Sequence, residues 1–253
     1  KTALARKTTL SFDQQLNSAE FLDNLRINSS TGTTYFVKLK ENSTFLGCSP
    51  EQLFERHNNK IYCDSIAGTA TVKEGPQHSN ILFSNKNIFE HQLVSDYIKE
   101  TLVRLCEKDP VVSELSKINS HSIDHLYQLI EGTLMKRVSD NDVLRSLHPT
   151  PAVGILPKKH INKIKSLENL QRGWYTAPIG WLGKNSSEFS VAIRGGLITK
   201  NKLHVYSGVG IVEGSKYDEE WEEVTHKYNL ILSLLGVYED SLSSEVINEL
   251  VTG

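Results

Sequence analysis

The sequence predicts an α+β fold in which most of the sheet is antiparallel. Short strand-like segments follow one another in two groups, and each segment is bounded by Asn, Gly, Ser or Pro. Two longer segments, one in the middle of the chain and one near its end, show helical periodicity instead. Because strands and helices cluster in turn without a strict βαβ alternation, layers of largely antiparallel sheet with flanking helices are favoured.

The first group of predicted strands lies in the N-terminal part of the chain. Its members are Lys1–Arg6, Thr34–Lys40, Thr44–Cys48, Gln52–Arg56 and Lys60–Ser65. The segment Glu74–Ser84 that follows is polar, which predicts a surface loop.

Helical periodicity begins after this loop. Apolar residues recur at helical spacing through Asn87–Lys108, which predicts an amphipathic helix. Two shorter pieces, Ser120–Gly132 and Asp140–Leu147, are strand or helix and end at the proline-rich His148-Pro149-Thr150-Pro151. A surface helix is predicted at Lys158–Asn169.

The second group of predicted strands precedes the last helix. Its members alternate in hydrophobicity with glycines at the joints, and they are Trp174–Leu182, Phe189–Ile198 and Lys202–Val212. The chain then continues into a long predicted helix, Tyr217–Tyr238, with one apolar face.

Composition excludes several classes of partner. The 253 residues carry a formal net charge of −2, so neither nucleic acid nor a membrane surface is predicted as a partner. The longest apolar runs fall short of the ~20 residues that a membrane span requires. Three widely spaced cysteines without a CxxC pair favour a reducing cytoplasm or plastid stroma. The missing initiator Met indicates part of a longer protein.

Three charged residues of the last predicted helix are candidates for a cation site. Glu220, Glu223 and Lys227 stand at i, i+3 and i+7, so they project from one face. Two carboxylates on a rigid helix suit Mg²⁺, whereas the alternative is a solvated charged face. Glu90, at the start of the earlier helix, leaves the same two interpretations open.

An anion site is suggested by glycines and an arginine. Gly208 and Gly210 follow a predicted strand and could offer N–H groups to an anion, although most such pairs only make a turn. Arg194 follows an apolar run, so its guanidinium requires a carboxylate partner, which is either internal or a substrate.

The histidines are less informative. His148 is either a donor to a substrate oxygen or a structural cap. His121 and His125 stand at i, i+4, but without a third ligand nearby a metal site is not favoured.

Taken in order, short motifs along the chain resemble those of the chorismate-utilising enzyme family. The resemblance covers Lys1 to about Gly236. The motifs are Gly47-Cys48-Ser49-Pro50-Glu51, Ala67-Gly68-Thr69, Glu90-His91, Leu147-His148-Pro149-Thr150-Pro151-Ala152-Val153, Arg172-Gly173-Trp174-Tyr175, Ala192-Ile193-Arg194, Gly208-Val209-Gly210-Ile211-Val212, Glu220-Trp221-Glu222-Glu223 and Lys227.

This resemblance implies a fold and a set of site residues. The fold is a two-layer α/β sandwich around a deep active site, here a single catalytic domain over residues 1–253 without the family's N-terminal segment. The implied ligands of Mg²⁺ are Glu90, Glu220 and Glu223. The residues implied to bind chorismate are Gly68, Thr69, His148, Thr150, Arg194, Tyr206, Gly208, Gly210 and Lys227.

Two positions indicate which family reaction to expect. Members that use water carry a lysine in a K-x-x-L-x-R strand, as this chain does in Lys1-Thr2-Ala3-Leu4-Ala5-Arg6, whereas ammonia-using members typically have glutamine there. Aminodeoxychorismate synthases carry a nucleophilic lysine where this chain has Ala67. The resemblance therefore implies an isochorismate synthase. A salicylate synthase or a non-catalytic chorismate-binding paralogue is the alternative, and the oligomeric state expected is a monomer or weak dimer.

The implied mechanism makes demands on two ionisable groups. Lys1 would deprotonate the attacking water, which requires a lowered pKa, and Glu51 would protonate the leaving hydroxyl, which requires a raised one. Carboxylates that converge without a metal should repel one another and raise their own pKa values.

Overall fold

The computed structural model describes residues 1–29, 31–71, 83–120, 123–168 and 170–238. The strands in this part of the chain are β1 (Thr2–Ser11), β2 (Thr33–Lys40), β3 (Ser43–Ser49), β4 (Gln52–His57), β5 (Lys60–Thr71), β6 (Val111–Val112), β7 (Ser116–Ser120), β8 (Ile123–Thr133), β9 (Pro178–Leu182), β10 (Ser186–Val191), β11 (Gly195–Thr199) and β12 (Lys202–Ile211). The helices are α1 (Ser18–Asn28), α2 (Asn85–Val103), α3 (Asp140–Leu147), α4 (Ile161–Glu168) and α5 (Tyr217–Leu235).

The strands form two antiparallel sheets. The first has the order β1-β12-β11-β3-β2, and the second has the order β6-β8-β5-β4-β10-β9 with β7 also paired to β8. Helices α1 and α5 pack with the first sheet, and α2 packs on β5 and β8 of the second. The predicted α+β class with largely antiparallel sheets is confirmed.

Each sheet has its own hydrophobic core. Phe54, Ile61 and Ile130 of the second sheet are fully buried together with Ile98 and Leu102 of α2. In the first sheet, apolar residues of β1, β3 and β12 are buried against α1 and α5, and they include Leu10, Leu46, Leu203, Leu25, Ile231 and Leu235. Burial of each such side chain contributes about 1.5–3 kcal/mol, which holds each helix against its sheet.

One predicted strand is wrong in an informative way. The apolar run Phe189–Ile198 is not a single strand, because β10 ends at Val191 in the second sheet and β11 begins at Gly195 in the first. Between them Arg194 has a φ of 56°, in the left-handed region that turns the chain from one sheet to the other. The chain therefore changes sheets at Arg194.

Other boundaries differ for local reasons. Of the strand predicted over Trp174–Leu182, only the last five residues form a strand (β9), because Thr176 has a φ of 67°. Gly208 and Gly210 lie within β12, in agreement with the strand predicted over Lys202–Val212 and not with a strand that ends at Ser207. Helix α1, which begins after the Asn17 cap, was not predicted. The predicted loop Glu74–Ser84 lies outside the described residues except for its last two positions.

Candidate active site

A cavity lies where the two sheets meet, and its empty space, including the open mouth, is about 790 Å³. Its walls come from β1 and β12 of the first sheet, β5 and β8 of the second, and helices α2 and α5. Most of the predicted site residues line it, namely Lys1, Glu51, Gly68, Thr69, Glu90, Arg194, Tyr206, Gly208, Gly210, Glu223 and Lys227.

Lys1 enters this cavity from strand β1. Its side chain is only 1% exposed, and its Nζ donates a hydrogen bond to Glu90 Oε1 at 2.7 Å. Opposite, on β12, a Cβ on Gly210 would meet the Glu90 carboxylate and lie 3.0 Å from Lys1 Cε. The glycine therefore provides the space in which this ion pair forms.

Glu51 lies between β3 and β4 with its side chain buried. Burial raises its pKa from 4.5 to about 7, and Asp64 also raises it, while Lys1 and Lys227 lower it. The carboxyl group therefore keeps its proton in part of the molecules near neutral pH. A group in this state can act as a general acid.

Arg194 is a buried cation at the cavity wall. It is 5% exposed, and its Nη2 lies 3.4 Å from Nε2 of His125. Its Nη1 is buried and has no hydrogen-bond partner among the described residues, and none of their carboxylates forms an ion pair with it. Burial lowers its pKa to about 10, partly offset by Tyr175 and Glu223. The guanidinium thus stays charged and has a free donor.

His125 is a cavity residue whose role the sequence analysis missed. Burial, Arg194 and Lys227 hold its pKa well below 6.5, so the ring is neutral. Because Arg194 only donates, Nε2 accepts, and Nδ1 carries the proton toward Thr69 Oγ1 at 3.2 Å. Thr69 in turn hydrogen-bonds Glu223. His125 thereby connects the arginine to a carboxylate.

The role of His125 follows from the pairing of two strands. His125 stands directly opposite Thr69 in the β5–β8 ladder, where a bulge at Gly68 shifts the register. Its predicted companion His121 lies outside the described residues. With Ser120–Gly132 left open between strand and helix, the pairing could not be deduced.

Each of the three predicted metal-binding carboxylates is paired with a lysine. Glu90 pairs with Lys1, Glu223 with Lys227, and Glu220 with Lys86, a residue not predicted. A different lysine therefore balances the charge of each carboxylate.

These lysines change the predicted electrostatics. Burial raises the pKa of Glu223, but the charge and hydrogen bond of Lys227 outweigh it and leave that pKa below its usual value. The expectation of raised carboxylate pKa values is therefore wrong for Glu223. Burial lowers the pKa of Lys86, but Glu220, Glu223 and Glu90 outweigh it and raise the pKa.

The carboxylates fit a hard cation in their chemistry. All three offer oxygen ligands of the kind that Mg²⁺ prefers, and Glu220 Oε2 is buried without a hydrogen-bond partner among the described residues. Within that same part of the chain, no group of three acidic, histidine or cysteine side chains is drawn together as a metal would require. The lysines hold the carboxylates instead.

Three predicted site residues do not line the cavity. Glu220 faces Lys86, and His148 follows α3, where burial and Lys158 lower its pKa to about 4. Thr150 is buried, and its carbonyl accepts from the N–H groups of Val153 and Gly154. The roles of these residues stay predictions.

The fold and the cavity together define an antiparallel α+β protein with a cavity lined by a buried arginine, a glutamic acid of raised pKa and a lysine. The family model described as "Chorismate binding enzyme" matches residues 1–236. The chain therefore belongs to the chorismate-binding enzyme family.

Similar proteins are isochorismate synthases. MenF of Bacillus subtilis is 34% identical over 245 residues, which are 93% of this chain and 51% of that protein. The chloroplastic isochorismate synthase 2 of Arabidopsis thaliana is 31% identical over 90% of this chain and 42% of its own length. The solved structure of MenF from Escherichia coli, menaquinone-specific by its description, superposes with a TM-score of 0.84 at 29% identity, covering 92% of this chain and 56% of that one. The chain spans about half the length of these relatives.

Among the described residues, no helix is both long and apolar enough to cross a membrane.

Proposed function

We propose that this chain carries the active site of an isochorismate synthase, which adds water to C2 of chorismate and expels the C4 hydroxyl. The family membership and the descriptions of the similar proteins support this proposal. So does the combination of a lysine and a partly protonated glutamic acid in one cavity.

The observation that carries the proposal is the unpaired Nη1 of Arg194. A buried guanidinium N–H without a partner is costly, and a carboxylate of the substrate would satisfy it. Strand β11 pairs with β12 only as far as Tyr206, so among the described residues no strand pairs with this edge of β12 at Gly208 and Gly210. Both features suit an anionic substrate such as chorismate.

In the proposed reaction Lys1 is the base and Glu51 the acid. In its neutral form, Lys1 Nζ accepts a proton from the attacking water, and the ammonium that results forms the 2.7 Å ion pair with Glu90 Oε1. Glu51 donates its proton to the C4 hydroxyl, which leaves as water while the ring double bonds shift. One water enters and one leaves, so substrate and product are isomers.

Glu90, Glu220 and Glu223 would hold Mg²⁺, which would neutralise the ring carboxylate of the substrate. A reducing location, the cytoplasm or a plastid stroma, belongs to the same proposal and is supported by three free, buried cysteines, Cys48, Cys63 and Cys106.

Product analysis with two variants tests this proposal. With chorismate and Mg²⁺, the natural protein should form isochorismate without salicylate or pyruvate. Lys1→Ala and Glu51→Gln should each lower kcat by about 10²–10⁴-fold while chorismate still binds, since Arg194 remains. The two losses should not add in the double variant, because both groups serve one transition state. Near-normal turnover by either variant would contradict the assignment, and salicylate with pyruvate would identify the alternative enzyme.

A further inference from the structure

Strand β1, which begins directly after Lys1, is at the edge of its sheet. One side of β1 pairs with β12, so the backbone groups on its other side need different partners. Near the cavity, Lys1 O accepts from the N–H of Leu156 at 2.9 Å, and the N–H of Ala3 donates to Gly154 O at 2.8 Å. The loop before α4 therefore covers the first residues of this edge.

Two side chains continue this cover along β1. The N–H of Ala5 donates to Glu168 Oε1 at 2.7 Å, and Arg172 Nη2 donates to Ala3 O at 2.9 Å. A neighbouring strand would offer the same donor and acceptor. Glu168 and Arg172 also bind each other, with Nε 2.8 Å from Oε2 and a second contact from Nη2 to Oε1.

Arg172 lines the cavity, but all of its N–H groups already have acceptors. Nε and one N–H of Nη2 bind Glu168, and the other N–H of Nη2 binds Ala3 O. Nη1 donates to Val153 O at 2.6 Å and to Thr176 Oγ1 at 3.3 Å. Since an arginine has five N–H donors, none is left for a bound anion. Arg172 is therefore placed to hold protein atoms and not substrate.

The same residues connect two walls of the cavity. The N–H of Thr176 donates to Ala192 O at 2.8 Å, two residues before Arg194. Arg172 thus contacts the strand of the proposed base directly and is connected through Thr176 to the segment next to the buried arginine. The side chains of Arg172 and Glu168 are 18% and 3% exposed, so this ion pair lies largely out of water.

We propose that Glu168 and Arg172 are a positioning pair that holds the outer edge of β1 and thereby sets Lys1 Nζ in the cavity. This inference rests on the proposed role of Lys1 as the base. Ala3 is two residues from Lys1, about 7 Å along an extended strand, so a displacement of β1 reaches the lysine with little loss. A displacement of about 1 Å at a reacting group can lower the rate about 10²-fold.

Arg172→Lys and Glu168→Gln test the pair, with Arg56→Lys as the matched control. Arg56 also makes a two-contact ion pair, with Asp140 at 2.5 and 2.8 Å, but in the second sheet and away from β1. Both test variants should lower kcat by about 10- to 100-fold and change the KM for chorismate by less than about threefold, because substrate binding is retained. The control variant should lose about as much thermal stability as the test variants and keep the kcat of the natural protein.

Hydrogen exchange provides a readout that needs no turnover. The amides of Ala3 and Ala5 should exchange faster in both test variants and at the natural rate in Arg56→Lys. The proposal is overturned by unchanged exchange at these amides, by a kcat loss equal to that of the control, or by a raised KM at unchanged kcat. If the natural protein does not convert chorismate, the proposed function fails, and the exchange rates still decide whether the pair holds β1.

Discussion

Single residues of the cavity carry charge in buried pairs. The side chains of Lys1 and Glu90 are 1% and 10% exposed, and those of Lys227 and Glu223 are each 16% exposed. Removing one partner of such a pair leaves an uncompensated charge, which is strongly destabilising. The loss of activity in a variant of either pair therefore has to be compared with its loss of stability.

Glu51 makes the stability of the protein depend on pH. Its pKa is about 7 in the folded protein against the ordinary 4.5, so the folded state binds this proton more tightly. The stabilisation is complete below about pH 4.5 and is lost as the pH rises through about 7. Between pH 5 and pH 8 the natural protein should lose on the order of 2 kcal/mol more free energy of unfolding than Glu51→Gln.

Urea unfolding at the two pH values measures this difference. Glu222→Gln, a change at an exposed carboxylate, is the control and should behave like the natural protein. Equal pH dependence in Glu51→Gln and the natural protein would show that Glu51 is not an acid held protonated by burial.

Residues within recognisable motifs could be predicted from the sequence, and their partners could not. Arg194 and Glu51 stand in ordered motifs, and the structure places both at the cavity. Lys86, His125 and Glu168 were not predicted, because each acts through contacts with a distant part of the chain. Such contacts require the register of the strands, which the periodicity of one segment does not contain.

Among the elements, β12 shows most directly how backbone shape makes room for the site. Ala3 and Ala5 of β1 stand opposite Gly210 and Gly208, so small residues face one another across the strand pair. Lys227 of α5 donates to Gly208 O at 3.1 Å, which joins the helix to this strand. The absence of a side chain at Gly210 leaves space for Lys1 and Glu90.

Gly210→Ala tests this role of β12. The added Cβ would meet the Glu90 carboxylate and crowd Lys1. We predict at least a tenfold lower kcat/KM, since crowding displaces the proposed base. Gly132→Ala is the matched control. Gly132 belongs to the second sheet, and its added Cβ would also be crowded, at 2.6 Å from Cys106 Sγ. Steady-state kinetics with equal losses in the two variants would contradict a specific role for Gly210.

Element prediction succeeded where periodicity is regular and failed at changes of sheet. Helices α2 and α5 were predicted to within a few residues of their observed starts, and α5 ends early because Gly236 adopts a φ of 72°. The run from Phe189 to Ile198 was predicted as one strand, because an apolar sequence looks the same whether it stays in one sheet or crosses to another. The crossing depends on the left-handed backbone conformation of Arg194, which cannot be predicted from the residue type.

At the scale of the whole molecule, the site exists only when both sheets are in place. Lys1 and Gly210 come from the first sheet, Thr69 and His125 from the second, and Glu90 from the helix on the second. A ligand in this cavity therefore stabilises the entire arrangement. Ligand-dependent stability is thus a measure of the site as a unit.

Mg²⁺ should raise the melting temperature of the protein in the absence of substrate. An ion at 100 times its Kd adds about 2.7 kcal/mol to the free energy of unfolding if it binds only the folded state. Glu220→Gln should reduce this shift, because Glu220 Oε2 is an unpaired buried oxygen. Glu219→Gln is the control on the same helix, since Glu219 is exposed and pairs with Lys216. A thermal shift assay in which both variants respond like the natural protein would exclude Glu220 as a ligand.

The central claim is that water attacks chorismate in this cavity while the C4 hydroxyl leaves, and an isotope experiment tests it most directly. Chorismate is converted in ¹⁸O-labelled water with Mg²⁺ present, and the reaction is stopped at low conversion. The products are separated, and their masses are measured by mass spectrometry. The account predicts isochorismate that carries one ¹⁸O atom, because the new hydroxyl comes from solvent and the old one is lost. Isochorismate without label, an aminated product when ammonium is supplied, or salicylate with pyruvate would contradict it.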